Sequence, residues 1–213
     1  NASMAPHFVL EALNVDYELL LVDRKSNAQK SKQYLALNPH GKIPTLIDNN
    51  EPSDEHSNGS LVLFESSAIC IHLAESNPQS NLIPAIGTPE RAKFFQWMMY
   101  LSNTIQAELM VYFYPQRHTT VDNAVNDISQ IQEQRITEMF ALLDEELTDK
   151  QFLVSDNVTA CDFFLFMLAI WADEFTTPPL SFNHLGQYLK SLAKHPAIKN
   201  VCKKENLSLV PYQ

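Results

Sequence analysis

The sequence predicts a small mixed α/β domain followed by an all-helical domain. Strand-like and helical segments alternate in the first third of the chain, and strand patterns are absent from Glu90 onward. Between these parts, residues 77–89 contain three prolines and few apolar residues at helical spacing, which is typical of a linker. We therefore expect one domain over residues 1–78, a linker over residues 79–88 and a second domain over residues 89–213.

The first domain is predicted to alternate between helices and strands. The polar stretch 49–60, which contains Asn58-Gly59, predicts a long turn between two antiparallel strands. Because a helix precedes every strand, the parallel sheet is left without a first strand, so either the fold lacks it or the sequence begins after it. The predicted helices cover residues 6–13, 31–37 and 66–75, and the predicted strands cover residues 17–22, 43–47 and 61–64.

The second domain is predicted to be helical throughout. The sequence Thr159-Ala-Cys-Asp162 precedes a long apolar run and is typical of a capping box, with Asp in place of the usual Glu. We interpret Asp162 as a cap needed for folding rather than as a catalytic group. Helical patterns cover residues 90–117, 122–148, 159–174, 183–194 and 196–204.

Composition excludes several classes of function. The 213 residues carry a net charge of −10, which argues against nucleic acid or an anionic membrane as a partner. No apolar run approaches the roughly 18 residues of a membrane span, and no signal peptide is recognisable. Three cysteines without a CxxC pair indicate reduced thiols and a cytoplasmic protein. The four glycines exclude glycine-rich phosphate loops, and the seven histidines have no metal-binding spacing, so we expect no metal.

The first motif that can carry chemistry is Asn38-Pro-His-Gly-Lys-Ile-Pro-Thr-Leu46. A proline that enters a strand is a candidate for a cis peptide bond, which would turn the backbone N–H and C=O of Ile43 outward. Ile43 could then pair with an extended peptide ligand. The alternative is an ordinary trans proline in an edge strand, and for an isolated Ile-Pro it is the better interpretation.

The second motif is Phe64-Glu-Ser-Ser-Ala-Ile69. Ser66 at a helix N-terminus offers a hydroxyl and backbone N–H groups to a carboxylate, and Glu65 can bind an ammonium group. Together they would receive the zwitterionic end of an amino acid. The alternative is a serine that only caps the helix.

Taken together, the two motifs, the hairpin between them, the proline-rich linker and the capped helical domain resemble the cytosolic glutathione transferase family. The resemblance extends over nearly the whole chain. It implies a thioredoxin-like first domain, an all-helical second domain, a homodimer, glutathione as co-substrate and a role in detoxification. By position, it implies that Lys42 meets the glycyl carboxylate of glutathione, that Ile43 and a cis Pro44 hold its cysteinyl part, and that Glu65 and Ser66 hold its γ-glutamyl end.

Within the family, the chain looks most like the bacterial beta-type enzymes. Three features fall where that type has them: Ala5-Pro6-His7, Leu101-Ser-Asn103, and Trp171 nine residues after Asp162. The resemblance implies that Asn103 reaches across the dimer toward glutathione and that Trp171 helps to form the wall of the site.

The chain departs from the beta type at two places. The reactive Cys of that type corresponds by position to Ala2, and its His–Lys pair corresponds to Met110 and Val111. What remains near the first helix is Ser3 and Asn1, either of which could donate a hydrogen bond to the glutathione thiolate. The alternatives are that Ser3 only caps the helix, or that residues 1–3 include a remnant of cloning.

The first hypothesis for function is a glutathione transferase that attacks small apolar electrophiles. The family resemblance places one face of the first long helix of the second domain beside the electrophile. Met110 and Tyr114, four residues apart on that helix, are therefore candidates for the pocket together with Trp171. The alternatives are a glutathione-dependent peroxidase or disulfide reductase, and a non-enzymatic binding module that kept the fold.

Overall fold

The computed structural model describes residues 1–49 and 60–213, so the predicted turn over residues 49–60 lies almost entirely outside the described residues. Short 3-10 turns connect several elements. Helices α1 to α9 span Met4–Leu13, Lys32–Leu37, Ser66–Glu75, Pro89–Met99, Gln106–Phe113, Val125–Glu146, Ala160–Trp171, Asn183–Leu192 and Pro196–Lys204, and strands β1 and β2 span Thr45–Asp48 and Leu61–Phe64.

The two strands form an antiparallel pair, as the sequence predicted. Thr45 faces Phe64 and Asp48 faces Leu61 in the register. Helix α3 follows β2 directly and packs against α1. This arrangement places the first turn of α3 at the end of the hairpin where β1 begins.

The prediction of a strand over residues 17–22 is wrong. No strand is assigned there, and the side chains of Leu19, Leu20 and Leu21 are 57%, 71% and 94% exposed. A strand is stabilised by hydrogen bonds to a neighbour, and within the described residues no strand lies beside this segment. The aliphatic sequence alone therefore does not make it part of the sheet.

Helix α7 is the centre of the second domain. Its residues from Ala160 to Ala169 are all buried, and α1, α3, α4 and α8 pack against it. One continuous apolar core therefore extends through both domains. The segment before α4 joins this core, because Leu82 and Ile83 are buried and the Leu82 carbonyl accepts a hydrogen bond from the Ala160 N–H.

The capping box at the start of α7 is present, which confirms the sequence interpretation of Asp162 as a cap. The fully buried Asp162 carboxylate accepts hydrogen bonds from the backbone N–H groups of Thr159 and Leu153. It also accepts bonds from the Thr159 and Tyr188 hydroxyls. These contacts tie the helix start to the preceding loop and to α8.

The long helix predicted over residues 90–117 is interrupted. Residues Tyr100–Ile105 form a π-helical segment between α4 and α5, and α5 ends at Phe113. Tyr114 has φ −131° and lies beyond the helix. The Tyr114 N–H still bonds to the Met110 carbonyl at 3.1 Å, so Tyr114 is the C-cap residue of α5, and the shared face of Met110 and Tyr114 stays a prediction. Within the described parts of the chain, no helix is both long and apolar enough to cross a bilayer.

Candidate functional site

The loop before β1 is held in place by side chains of α2 and the residue that follows it. The peptide bond between Ile43 and Pro44 is cis, so the trans alternative is wrong. The Tyr34 hydroxyl donates to the Lys42 carbonyl at 2.6 Å and lies 2.9 Å from the Thr45 hydroxyl. Asn38 Nδ2 donates to the same Lys42 carbonyl at 2.9 Å. Backbone hydrogen bonds to Ile43 are absent among the described residues, so its N–H and C=O remain available to a ligand.

The strand register brings the two sequence motifs together. Thr45 pairs with Phe64, so the next residues outward, Pro44 and Glu65, lie at the same end of the hairpin. Glu65 has φ 71° and ψ 111°, a conformation that non-glycine residues rarely adopt and that is concentrated at functional sites. Two fragments separated by 20 residues of sequence thus lie side by side at one end of the hairpin.

Ser66 does not occupy the N-cap position of α3, which the simple capping interpretation of the sequence would require. The N-cap position is Glu65, which makes no side-chain capping bond, and Ser66 is the first helical residue. Ser66 is 5% exposed, whereas Glu65 is exposed. The N–H groups of the first helical turn therefore lack a side-chain cap, which leaves a positive helix end beside the Ile43 backbone.

The loop before α1 offers polar groups that the helix does not use. The carbonyls of Asn1 and Ser3 accept the backbone bonds from Met4 and His7, but the Ser3 side chain makes no capping bond. The interpretation of Ser3 as only a helix cap is therefore wrong. Its hydroxyl remains free to donate to another group.

Two charged residues lie close to this loop. The Glu205 carboxylate and the Arg24 guanidinium both act electrostatically on the backbone nitrogen of Asn1. Neither Arg24 nor Glu205 was singled out from sequence, because both are distant from Asn1 along the chain. Their effect on one group places both near the start of α1.

Comparison with known proteins decides the family. The model of the glutathione S-transferase N-terminal domain matches residues 1–75, and that of the C-terminal domain matches residues 102–196. Glutathione S-transferase GstB of Escherichia coli (strain K12) is 30% identical over 201 residues, covering 90% of this chain and 88% of the relative. The chain belongs to the glutathione S-transferase family. Glutathione S-transferase 2 of Schizosaccharomyces pombe is also 30% identical, over 72% of this chain, but the chain spans only 63% of that relative.

Solved structures agree with this membership. A sphingomonad glutathione S-transferase complexed with glutathione has a TM-score of 0.79 and 25% identity, covering 98% of this chain and 96% of that one. The beta class glutathione S-transferase of Sphingomonas chungbukensis has the same TM-score of 0.79 at 24% identity, with 97% and 96% covered. The family predicted from the motifs is confirmed, and the likeness to these bacterial structures agrees with the predicted thioredoxin-like fold of the first domain.

In this glutathione S-transferase, a polar cluster joins α1 to the end of α9. The His7 ring is 3% exposed, with Nδ1 3.0 Å from Glu205 and Nε2 3.0 Å from the Tyr17 hydroxyl. Tyr17 bonds to Glu11, and Lys204 Nζ donates to both residues. Bonds from Lys204 and then Tyr17 lower the pKa of Glu11 to about 2. Sequence analysis missed this cluster because its members are almost 200 residues apart.

Asn103 lies in the π-helical segment and is exposed. Its amide donates to Met99 Sδ at 3.7 Å. It borders a groove of about 450 Å³. The groove is lined by Gln96, Trp97, Met99, Tyr100, Asn103, Thr104 and Leu142.

Phe113, which was not among the predicted pocket residues, lies beside Trp171, which was. Trp171 packs edge-on against Phe113, with ring centroids 6.3 Å apart. Phe113 is 42% exposed, and the Trp171 indole N–H is buried without a hydrogen-bond partner. Met110 and Tyr114 are half-buried, and Arg117 stacks over the Tyr114 ring at 4.1 Å. Sequence analysis did not select Phe113, because an apolar residue within an aromatic run is usually buried in the core.

The cysteines are poor candidates for a nucleophile. All three are free and buried, and burial raises the pKa of Cys70, Cys161 and Cys202, the last to about 11. A buried protonated thiol is unreactive. Across the described residues, no cluster of His, Cys, Asp or Glu is arranged as a metal site.

Proposed function

We propose that this protein is a glutathione transferase that adds the glutathione thiolate to small apolar electrophiles. The single observation that carries the proposal is the pairing of the cis Ile43–Pro44 bond with the uncapped start of α3 at one end of the hairpin. This surface offers two free backbone groups for an extended peptide and a positive helix end for a carboxylate. Those are the features that a γ-glutamyl tripeptide requires.

Each glutathione contact is assigned from this geometry and the family resemblance. Ile43 pairs with the cysteinyl part, and Pro44 maintains the outward turn. Lys42, which is exposed, meets the glycyl carboxylate, while Glu65 and Ser66 hold the ammonium and carboxylate of the γ-glutamyl end.

The thiolate is stabilised from the loop before α1. A free Cys thiol has a pKa of about 8.5, so the site must lower that of glutathione to ionise it near neutral pH. The uncommitted Ser3 hydroxyl and the Asn1 amide are the donors that we assign to this role. The N-terminus of α1 adds a favourable dipole.

The electrophile pocket is assigned to Met110, Tyr114 and Trp171, with Phe113 added. The exposed Phe113 ring and the edge of Trp171 offer an apolar, aromatic surface. The unpartnered indole N–H of Trp171 can donate to a polar atom of the substrate.

The function is tested with a glutathione resin and a chlorinated dinitrobenzene. We expect retention on the resin, elution by free glutathione and turnover of the electrophile. Retention without turnover of either this electrophile or a hydroperoxide would leave a binding module. Turnover of hydroperoxides or disulfides alone would identify a peroxidase or reductase, and no retention would contradict glutathione binding.

We also propose that two copies associate as a homodimer. The groove beside Asn103 is lined by exposed apolar side chains of α4 and α6, namely Met99 and Leu142, which are 39% and 46% exposed. A second copy would cover them and bring its Asn103 toward the partner's glutathione. Sedimentation should show a dimer that Met99→Asp dissociates, and a monomeric wild-type protein would contradict the proposal.

The cell compartment and the domain limits complete the proposal. We assign the protein to the cytoplasm, since three free buried cysteines fit a reducing compartment, and fractionation of cells tests this.

We assign the domains to residues 1–78 and 89–213. Limited proteolysis should then cut first within or beside residues 79–88, despite the buried Leu82 and Ile83.

A further inference from the structure

The charges of this acidic protein are unevenly distributed. Residues 24–47 carry five basic residues and no acidic one, whereas the remainder of the chain carries ten basic and 25 acidic residues. The five are Arg24, Lys25, Lys30, Lys32 and Lys42, which we call the basic segment. A protein with a net charge of −10 repels anions at long range, so a local excess of positive charge determines where an anion can approach.

Part of the basic segment is attached to the glutathione site that we propose at the end of the β1–β2 hairpin. We call this the hairpin site. Lys30 Nζ donates to the His40 carbonyl at 3.0 Å, in the loop that leads to the cis proline. Tyr34 in α2 is bonded to the Lys42 carbonyl and to Thr45, so the helix that begins with Lys32 is attached to the same loop. Lys30, Lys32 and Lys42 therefore belong to elements that are attached to this loop, and Arg24 and Lys25 precede them directly in the chain.

The basic segment is exposed and forms no ion pair among the described residues. All five side chains are exposed. Six ion pairs join described residues, and none includes a member of the basic segment. Asp23 flanks it, and that carboxylate accepts a bond from the Lys25 backbone N–H. Charges that are neither paired nor buried contribute a field that solvent and salt alone screen.

We propose that the basic segment is an electrostatic collector that draws anionic thiol ligands to the hairpin site. This inference rests on the proposed function, because it specifies how that site obtains its ligand. Glutathione has two carboxylates and one ammonium, so it arrives as an anion and its charge increases when the thiol ionises. The segment therefore accelerates association and favours ligands whose carboxylates are intact.

The physical consequence is a rate that depends on salt. Steering by a charged rim raises association rates by about 10- to 1,000-fold, and the effect decreases steeply with ionic strength. The Debye length is about 10 Å at 0.1 M salt, so charges at the rim are screened before charges in direct contact with the ligand. Association should respond to salt far more than turnover at saturation does.

The experiment measures association by stopped-flow fluorescence with a neutral bimane label on the glutathione sulfur. The test variant is Arg24→Gln/Lys25→Gln/Lys32→Gln, which leaves Lys42 and the Lys30 contact intact. The control variant, with the same change in net charge, is Lys190→Gln/Lys194→Gln/Lys199→Gln, and these lysines are exposed in the second domain. A second control uses the same conjugate esterified at the glycyl carboxylate.

We expect the association rate constant of the test variant to be about three- to tenfold lower at low salt, with a flatter dependence on salt. The control variant should match the wild type, and the ester should lose much of its salt dependence. Equal rate constants for both triple variants would overturn the collector, since only the net charge would then matter. Failure of every protein to bind the conjugate at any salt would instead overturn the glutathione site itself.

Discussion

At the scale of the residue, the proposed glutathione site includes two helix starts that have no side-chain capping bond. Ser3 occupies the N-cap position of α1 without a side-chain capping bond, and the N–H groups that begin α3 have no side-chain cap. These groups are therefore available to a ligand, which is why we assign both helix starts to the proposed site. The positive φ of Glu65 adds to this interpretation.

Ser3→Ala tests the donor to the thiolate. Loss of a hydrogen bond to a charged sulfur should raise the pKa of bound glutathione thiol by about one to two units, since such a bond contributes about 1.5–3 kcal/mol. Titration of thiolate absorbance in the complex measures it. Asn1→Ala is the companion variant, and an unchanged titration in both would refute the assignment to this loop.

At the scale of the element, α7 illustrates how a short sequence pattern controls a buried helix. Four of the hydrogen bonds at its start converge on the Asp162 carboxylate. Burial raises the pKa of Asp162, whereas bonds from Tyr188, Leu153 and Thr159 lower it. The carboxylate is therefore a structural acceptor whose partners are all buried with it.

Asp162→Ala should lower the free energy of unfolding by about 2–4 kcal/mol. The change removes a helix cap and also leaves buried donors without partners, and the two costs add. Urea unfolding measures the change. Asp127→Ala is a matched control, because Asp127 is an exposed acid in the first turn of α6, where a change should stay within about 0.5 kcal/mol. Equal effects of the two variants would contradict the prediction.

At the scale of the whole molecule, the two domains are joined by a shared core and by the polar cluster between α1 and α9. Lys204 and Asn200 of α9 both donate to Glu11 of α1, and Glu205 bonds to His7. Because α1 follows directly from the loop that we assign to the thiolate, the second domain fixes the position of that loop.

The pKa of Glu11 predicts how stability responds to acid. In the folded protein this pKa is lowered from 4.5 to about 2 by bonds from Lys204, Tyr17 and Asn200. A lowered carboxyl pKa gives stability that is complete above the unfolded value and is lost as the pH falls toward the folded value. The free energies of unfolding of the wild type and Glu11→Gln should thus differ at about pH 5 and converge by about pH 2.

Urea unfolding across this range checks the prediction. Glu138→Gln removes the same charge from an exposed position on α6 and is the control. A constant difference between Glu11→Gln and the wild type at every pH would show that the lost contact is not electrostatic.

The sequence by itself determined the features that depend on neighbouring residues. It predicted the order and type of most elements, the capping box at Asp162 and the family. The cis bond before Pro44 followed only from the family resemblance, because the local Ile-Pro pattern favours trans. A helix cap is controlled within a few residues, so its pattern can be read directly.

Only the tertiary structure decided which distant residues meet. The strand register placed Glu65 beside Pro44, and packing placed Phe113 against Trp171. The His7 ring bonds to Glu205, which is 198 residues away in the sequence. Within the described residues, the aliphatic segment 17–22 forms no strand, because no neighbouring strand lies beside it. The physical reason is the same in each case: pairing and burial depend on a partner surface that the local sequence does not contain.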